Sequence, residues 1–250
     1  MSGLDVLAIS PHPDDVELAC GGTIALLTAA GRRVGILHLT SGEAGTRGTP
    51  EGRREEAQRA GRELGVEWVD FLDCGDGALR TGTEEEDALI EVLRRHRPEL
   101  VLAPPAVDRH PDHGRAHSLI SAAVFYSGLA KRGGGLEPYR PAAVFHYMLH
   151  DPFEPRFIVD VTAVWERKLA ALAAYESQLY QPDREPDREP DQRPDHGPPT
   201  KVASRGYREA VEGRARHYGL LIGAELGEPF GSRLPLAVED PLALLPGRLR

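Results

Sequence analysis

The chain has 250 residues, of which 40% are apolar, and this is enough to bury a substantial hydrophobic core. Its formal net charge of −9 argues against nucleic acid as a partner, because binding to phosphates requires a clustered basic surface. Only two cysteines occur, too few for a disulfide framework or a four-cysteine metal site. With neither a secretory signal nor a membrane span in the sequence, we expect a cytoplasmic protein that acts on a small molecule.

Hydrophobic periodicity predicts alternating strands and helices along the first half of the chain. The predicted strands are 4–10, 34–40, 68–72 and 100–103, followed in turn by helices at 16–30, 53–64, 84–96 and 113–131. Further strands are predicted at 143–149 and 157–161, and further helices at 164–179 and 207–222. This order predicts one α/β domain over residues 1–250. It would be a Rossmann-like three-layer α/β/α fold with a mostly parallel sheet, strand order 3-2-1-4 plus further strands, and a C-terminal α+β extension.

Residues 182–199 form a repetitive segment with the sequence PDREPDREPDQRPDHGPP. Proline lacks a backbone donor and has a fixed φ, so both helix and sheet are disfavoured. The segment also has little apolar surface to offset the entropy of ordering. We therefore expect a mobile surface loop at about 181–200, with a lid as the alternative.

Two short motifs combine histidine with aspartate directly after predicted strands. Pro11-His12-Pro13-Asp14-Asp15 follows the first strand, and residues 108–113, with the sequence DRHPDH, follow the fourth. In a 3-2-1-4 sheet these strands are neighbours, and their connections leave towards opposite sides, so both motifs should reach one crevice. A dinucleotide turn would need G-x-G-x-x-G, whereas two carboxylates in the turn favour a cation.

The spacing of these motifs predicts a metal site formed by His12, Asp15 and His113. A helix-initiating turn can direct His12 and Asp15 at one point, and His113 adds a second imidazole, which leaves the open positions that a catalytic metal needs. Two imidazoles favour zinc over magnesium, although Fe²⁺ or Co²⁺ would satisfy the same ligands. Asp14 lies beside a ligand and is the candidate general base.

Other polar side chains are candidates for substrate contacts. His110 is placed to stabilise an oxyanion, and Asp112 to orient the His110 ring. Arg53 and Arg109 offer charged forks for the substrate. In the competing interpretation, the first motif is merely a helix N-terminus whose aspartates cap backbone amides. The histidines in strand-like runs are predicted to be core or rim residues: His38, His146 and His150.

Both motifs resemble those of the PIG-L/LmbE family of zinc-dependent N-deacetylases, which act on N-acetylglucosamine (GlcNAc) conjugates. The resemblance spans roughly residues 4–230, and further segments resemble the bacillithiol-biosynthesis branch: Gly21-Gly22-Thr23, Arg53 with Glu56-Ala57, 175–178 (YESQ) and Arg214-Ala215-Arg216. By this resemblance, zinc would be bound by His12, Asp15 and His113. It also implies Asp14 as the base, His110 as the group that stabilises the intermediate, Arg53 and Arg109 near the substrate, and a homo-oligomer, most simply a hexamer.

The resemblance implies a hydrolase that removes acetate from N-acetylglucosaminyl-L-malate in bacillithiol biosynthesis. Three alternatives stay open: a deacetylase of a chitobiose or inositol conjugate, another zinc amidase or esterase, and a non-catalytic sugar-binding module. The module could lose Asp14 without losing the metal, and this chain retains Asp14.

Overall fold

A computed structural model describes residues 3–133, 135–181, 198 and 200–244. Its seven strands are β1 (Val6–Ser10), β2 (Val34–His38), β3 (Trp68–Phe71), β4 (Leu100–Ala103), β5 (Ala143–Tyr147), β6 (Phe157–Asp160) and β7 (Gly227–Ser232). Its six α-helices are α1 (Asp15–Ala29), α2 (Pro50–Leu64), α3 (Thr83–His96), α4 (Pro111–Ser127), α5 (Trp165–Ala173) and α6 (Arg205–Leu221). The mobile loop predicted at about 181–200 falls almost entirely outside the described residues.

All seven strands form one sheet in the order β3-β2-β1-β4-β5-β7-β6. The first five strands run parallel, and β7 is antiparallel to both β5 and β6. The predicted α/β class and the 3-2-1-4 order are confirmed. Strand β7 was not predicted, because its sequence GEPFGS contains two glycines and a proline, which lower β propensity.

Side chains of β1 alternate between two hydrophobic cores, as the period of a strand requires. Val6 and Ala8 contribute to the core that also includes residues of α1, α2, α5 and α6. Leu7 and Ile9 contribute to the core beneath α3 and α4. The sheet is therefore covered by helices on both faces, and the parallel strands all end at one open edge.

Side chains that bind backbone groups set the ends of two helices. Thr49 followed by Pro50 predicts an N-cap and a first helical residue, and helix α2 does begin at Pro50, where Thr49 Oγ1 accepts a hydrogen bond from the Gly52 amide. Helix α5 ends at Ala173 rather than at residue 179, and the Ser177 amide and hydroxyl both donate to the Glu56 carboxylate. Within the described ranges, no helix has both the length and the apolar character needed to cross a membrane.

Candidate active site

The two motifs meet at the carboxyl ends of β1 and β4, which are neighbours in the sheet. The first motif forms the turn between β1 and α1, and the second leads into α4. The His12 ring centroid lies 4.7 Å from that of His110 and 5.6 Å from that of His113. Strand order thus brings together imidazoles that are far apart in the sequence.

A strained turn directs Asp15 towards His12. Asp14 has φ 92° and ψ −25°, a left-handed conformation that costs a non-glycine residue on the order of 1 kcal/mol or more. Helix α1 begins immediately afterwards, and Asp15 Oδ2 accepts a hydrogen bond from the His12 amide at 3.1 Å. Strain of this kind persists where the surrounding structure enforces it, and it is concentrated at functional sites.

Asp15 Oδ2 lies at distances from two ring nitrogens that fit a small tetrahedral ion. Asp15 Oδ2 lies 3.1 Å from His12 Nδ1 and 3.5 Å from His113 Nε2. Ligand atoms bound at about 2.1 Å in a tetrahedral shell are about 3.4 Å apart, so both distances suit zinc. Among the described residues, three overlapping groups could hold a metal ion: His12 with His110 and His113; Asp15 with His113 and His150; His12 with Asp76 and Asp112. The predicted set of His12, Asp15 and His113 is not itself one of these groups; its members are divided between the first two.

A carboxylate lies behind each of the two imidazoles. Asp76 Oδ1 is 3.1 Å from His12 Nε2, and Asp108 Oδ1 is 3.0 Å from His113 Nδ1. Neither contact has hydrogen-bond geometry in this structure, since His12 Nε2 and His113 Nδ1 have no hydrogen-bond partner among the described residues. With a metal bound, carboxylates in these positions would fix the tautomer and orientation of each histidine, with His12 Nδ1 and His113 Nε2 facing Asp15. Sequence reasoning missed Asp76; the available signal was its position shortly after β3, whose carboxyl end lies at the same edge of the sheet.

The carboxylate of Asp112 has partners other than the His110 ring. It accepts hydrogen bonds from the Gly77 amide at 2.8 Å, the Leu79 amide at 3.2 Å and Arg115 Nη1 at 2.7 Å. The His110 ring instead contacts the Asp112 backbone amide, which donates to Nδ1 at 3.2 Å. The expected carboxylate–imidazole contact is therefore replaced by a backbone contact, and the Asp112 side chain anchors the loop after β3.

The two predicted substrate arginines lie in different environments. Arg53 is buried and donates to the Gly42 carbonyl at 2.9 Å and to the Pro13 carbonyl at 3.1 Å. These bonds fasten the Ser41–Gly48 loop to the turn that carries Asp14. Arg109 is exposed at the rim, next to His110 in the chain. Arg109 thus presents a charge to solvent, whereas Arg53 supports the backbone of the site.

His150 also lies at the site, although it was predicted only as a core or rim residue. Its ring stacks on His113 with centroids 5.5 Å apart and planes 14° apart, and its Nδ1 is 3.2 Å from the hydroxyl of Tyr207. The His150 amide donates to Asp108 Oδ2 at 3.0 Å. The sequence offered no signal for this residue, because the loop after β5 and helix α6 bring it here through long-range packing.

Burial and charge separate the pKa values of the two adjacent aspartates. Burial, together with the negative charge of Asp15, raises the pKa of Asp14 to about 8. Burial also acts to raise the pKa of Asp15, but His113 and His12 outweigh it and hold that pKa well below its usual range. The His113 pKa is about 9, because the charges of Asp15 and Asp108 outweigh the effect of burial. A divalent cation would lower all these values, since it favours the deprotonated forms.

Comparison with known proteins places this site in a family. Residues 7–124 match the family model described as PIG-L, GlcNAc-PI de-N-acetylase. The diacetylchitobiose deacetylase of Thermococcus kodakarensis is 38% identical over 188 residues, which cover 69% of this chain and 69% of the relative. The chain belongs to the PIG-L family. The matched range contains the three predicted ligands, Asp14 and His110.

Two further proteins are similar to this chain, one in its solved structure and one in its sequence. A conserved protein of Thermus thermophilus has a solved structure with a TM-score of 0.83 and 39% identity, covering 95% of this chain and 98% of that one. The 4-oxalmesaconate hydratase of Pseudomonas putida is 29% identical, covering 69% of this chain and 73% of the relative. On the weight of the family model and the deacetylase match, this chain is an N-deacetylase, and its His/Asp cluster is the candidate metal centre.

Proposed function

We propose that the chain is a zinc-dependent N-deacetylase whose metal is held by His12 Nδ1, Asp15 Oδ2 and His113 Nε2. One observation carries this proposal: Asp15 Oδ2 lies at ligand-like distances from both His12 Nδ1 and His113 Nε2, and a separate carboxylate backs each imidazole. Fe²⁺ or Co²⁺ would suit the same donors, so the ion itself is decided by metal analysis.

The surrounding side chains would perform the proton transfers of amide hydrolysis. Zinc, when bound, supplies a Lewis acid and lowers the pKa of water. Asp14 would take a proton from the attacking water and return it to the amide nitrogen as acetate leaves. His110, close to His12, would stabilise the negative charge that develops on the acetyl oxygen. Arg53 would act on the substrate indirectly, by holding the turn of Asp14.

The proposed substrate is a small GlcNAc conjugate, with N-acetylglucosaminyl-L-malate as the leading candidate. Malate carries two carboxylates, and the exposed guanidinium of Arg109 at the rim could bind one of them. The identity to a diacetylchitobiose deacetylase supports a disaccharide as the second candidate. These candidates differ in the charge of the group attached to GlcNAc, and a comparison of rates can separate them.

A panel of substrates tests the proposal. Acetate release is measured with zinc-loaded protein on N-acetylglucosaminyl malate, diacetylchitobiose, a GlcNAc–inositol conjugate and a simple acetyl ester. We expect the highest kcat/KM for the malate conjugate, and we expect Arg109→Ala to raise KM for that substrate while leaving KM for diacetylchitobiose unchanged. Failure to release acetate from any GlcNAc conjugate, together with hydration of 4-oxalmesaconate, would overturn the deacetylase assignment.

We also propose that the protein is cytoplasmic and forms a homo-oligomer, with a hexamer as the simplest case. The end of α6 supports association, because Leu220 and Leu221 are 76% and 60% exposed there. Light scattering after size-exclusion chromatography measures the mass directly. A monomer at micromolar concentration would contradict the proposal.

A further inference from the structure

Helix α1 is interrupted near its middle, and the Glu228 side chain binds the backbone at the break. Cys20 has φ −137° and ψ 22°, so a second helical segment begins after it. In a continuous helix the Gly22 amide would donate to the Leu18 carbonyl. It donates instead to Glu228 Oε1 at 2.9 Å, and the amide and hydroxyl of Thr23 each donate to Glu228 Oε2 at 2.7 Å. Glu228 therefore caps the second segment from outside the helix.

Two cations bind the carbonyl that this break leaves free. The Leu18 carbonyl accepts hydrogen bonds from Lys168 Nζ and from Arg214 Nη2, each at 3.0 Å. Lys168 also forms an ion pair with Glu228 at 2.6 Å, and both side chains are only 2% exposed. Lys168, Arg214 and Glu228 are together called the helix-break clamp. Its charges replace the backbone hydrogen bond on both sides of the break.

Arg214 connects the break to the opposite wall of the active site. Its other amino group donates to the carbonyl of Leu149, the residue before His150. The His150 ring in turn stacks on His113. One guanidinium on α6 therefore contacts both the helical segment that begins with Asp15 and the loop that carries His150.

The backbone at the break is shaped to admit Glu228. A Cβ atom at Gly22 would lie 2.8 Å from Val161 Cβ and 3.0 Å from Glu228 Oε1, so a larger residue would collide with Val161 and crowd the carboxylate. Gly22 and Thr23 of the Gly21-Gly22-Thr23 motif, which the metal chemistry does not use, thus bind Glu228.

We propose that the helix-break clamp positions the metal centre, by setting the direction of the short segment that begins with Asp15. Buried ion pairs are weak sources of stability, since their desolvation offsets their attraction, and apolar residues could fill this space at no loss of stability. Charged groups can, however, hold a broken helix in one defined geometry. The inference rests on the proposed function, because it takes Asp15 as a metal ligand.

Two variants loosen the clamp in different ways. The double variant Lys168→Met with Glu228→Gln removes the two charges of the buried ion pair together and keeps Arg214. Gly22→Ala places a Cβ atom against Val161 and the Glu228 carboxylate, which forces the break and its cap apart, and it keeps every charge. The matched control is Arg94→Met on the other face of the sheet, where a buried Arg94 also binds backbone carbonyls, those of Ser127, Leu129 and Leu136.

Cobalt-substituted protein gives a readout that depends on neither substrate nor turnover. We expect both clamp variants to bind Co²⁺ about tenfold more weakly than the wild type in a chelator competition, with a changed visible spectrum. The Arg94→Met control should keep the wild-type affinity and spectrum even though its melting temperature falls. All measurements are made well below the lowest melting temperature; if one clamp variant fails to fold, the other decides.

The two proposals fail in different ways. Clamp variants with wild-type Co²⁺ affinity and spectrum would overturn the positioning role and leave the metal centre intact. A wild-type protein that binds no Co²⁺ at all would overturn the proposed metal centre itself.

Discussion

Asp108 is the side chain through which one substitution should affect three imidazoles. Its Oδ1 lies 3.0 Å from His113 Nδ1 and 3.3 Å from the His110 amide, and its Oδ2 accepts from the His150 amide at 3.0 Å. Asp108→Asn keeps the shape and removes the charge. The new amide must then turn its NH₂ group towards one of these two sides.

Each orientation of the new amide has a cost. If the NH₂ group faces His113 Nδ1, that nitrogen must accept a hydrogen bond, and the ring proton moves to Nε2, the atom proposed to bind the metal. If it faces the His150 amide, two donors oppose each other, which costs about 1–3 kcal/mol. We therefore expect metal affinity to fall by about 10- to 100-fold, equivalent to roughly 1.4–2.7 kcal/mol.

Chelator competition with Zn²⁺ measures this loss directly. The control is Asp5→Asn, since Asp5 also accepts a backbone hydrogen bond, from Arg33 at 2.7 Å, but lies at the far end of β1. The control should bind zinc as the wild type does. Unchanged zinc affinity in Asp108→Asn would refute the reasoning that the carboxylate fixes the His113 tautomer.

Three further predictions follow from the site and its surroundings. Asp14→Ala should retain zinc and lose most deacetylation, whereas His113→Ala should lose the metal. Metal content and acetate release check both variants, and full activity of Asp14→Ala would exclude Asp14 as the base. Gly42→Ala should lower the free energy of unfolding, measured in urea, by about 1–3 kcal/mol. The new Cβ atom would lie 1.6 Å from Arg53 Nη1, and residue 42 has a φ of +68°, which alanine rarely adopts. An unchanged urea midpoint would contradict this prediction. Burial lowers the pKa of His38 to about 3. In metal-free protein, His38 is therefore protonated in the unfolded chain but not in the folded one as the pH falls below about 6.5. The free energy of unfolding should decrease with falling pH for this reason, by roughly 2 kcal/mol at pH 5. His38→Gln should lack that portion of the pH dependence, and equal pH profiles would argue against a neutral buried imidazole.

Local patterns predicted the part of the fold that positions the two motifs. The strands at 4–10 and 100–103 were recognisable because parallel strands buried on both faces are continuously apolar. Their adjacency followed from the common strand order, and with it the meeting of His12 and His113. The sequence was informative here because each motif lies within a few residues of its strand.

Contacts made by distant loops were not predictable in the same way. Asp76 reaches His12 from the loop after β3, and the Asp112 carboxylate turns to that same loop and away from His110. His150 and Tyr207 depend on how the segments after β5 pack onto the parallel half. In each case, which residue the side chain contacts depends on tertiary packing, and local periodicity in the sequence does not encode it.

The helix-break clamp bears on how such enzymes can be recombined. The range that matches the family model, residues 7–124, contains the proposed zinc ligands, while Lys168, Arg214 and Glu228 all come from later in the chain. Swapping the later half between relatives, to graft a different substrate pocket, would therefore also swap the residues proposed to steer Asp15. A chimera would need a matching pair: a glycine at the helix break from one parent, and the clamp that fits it from the other.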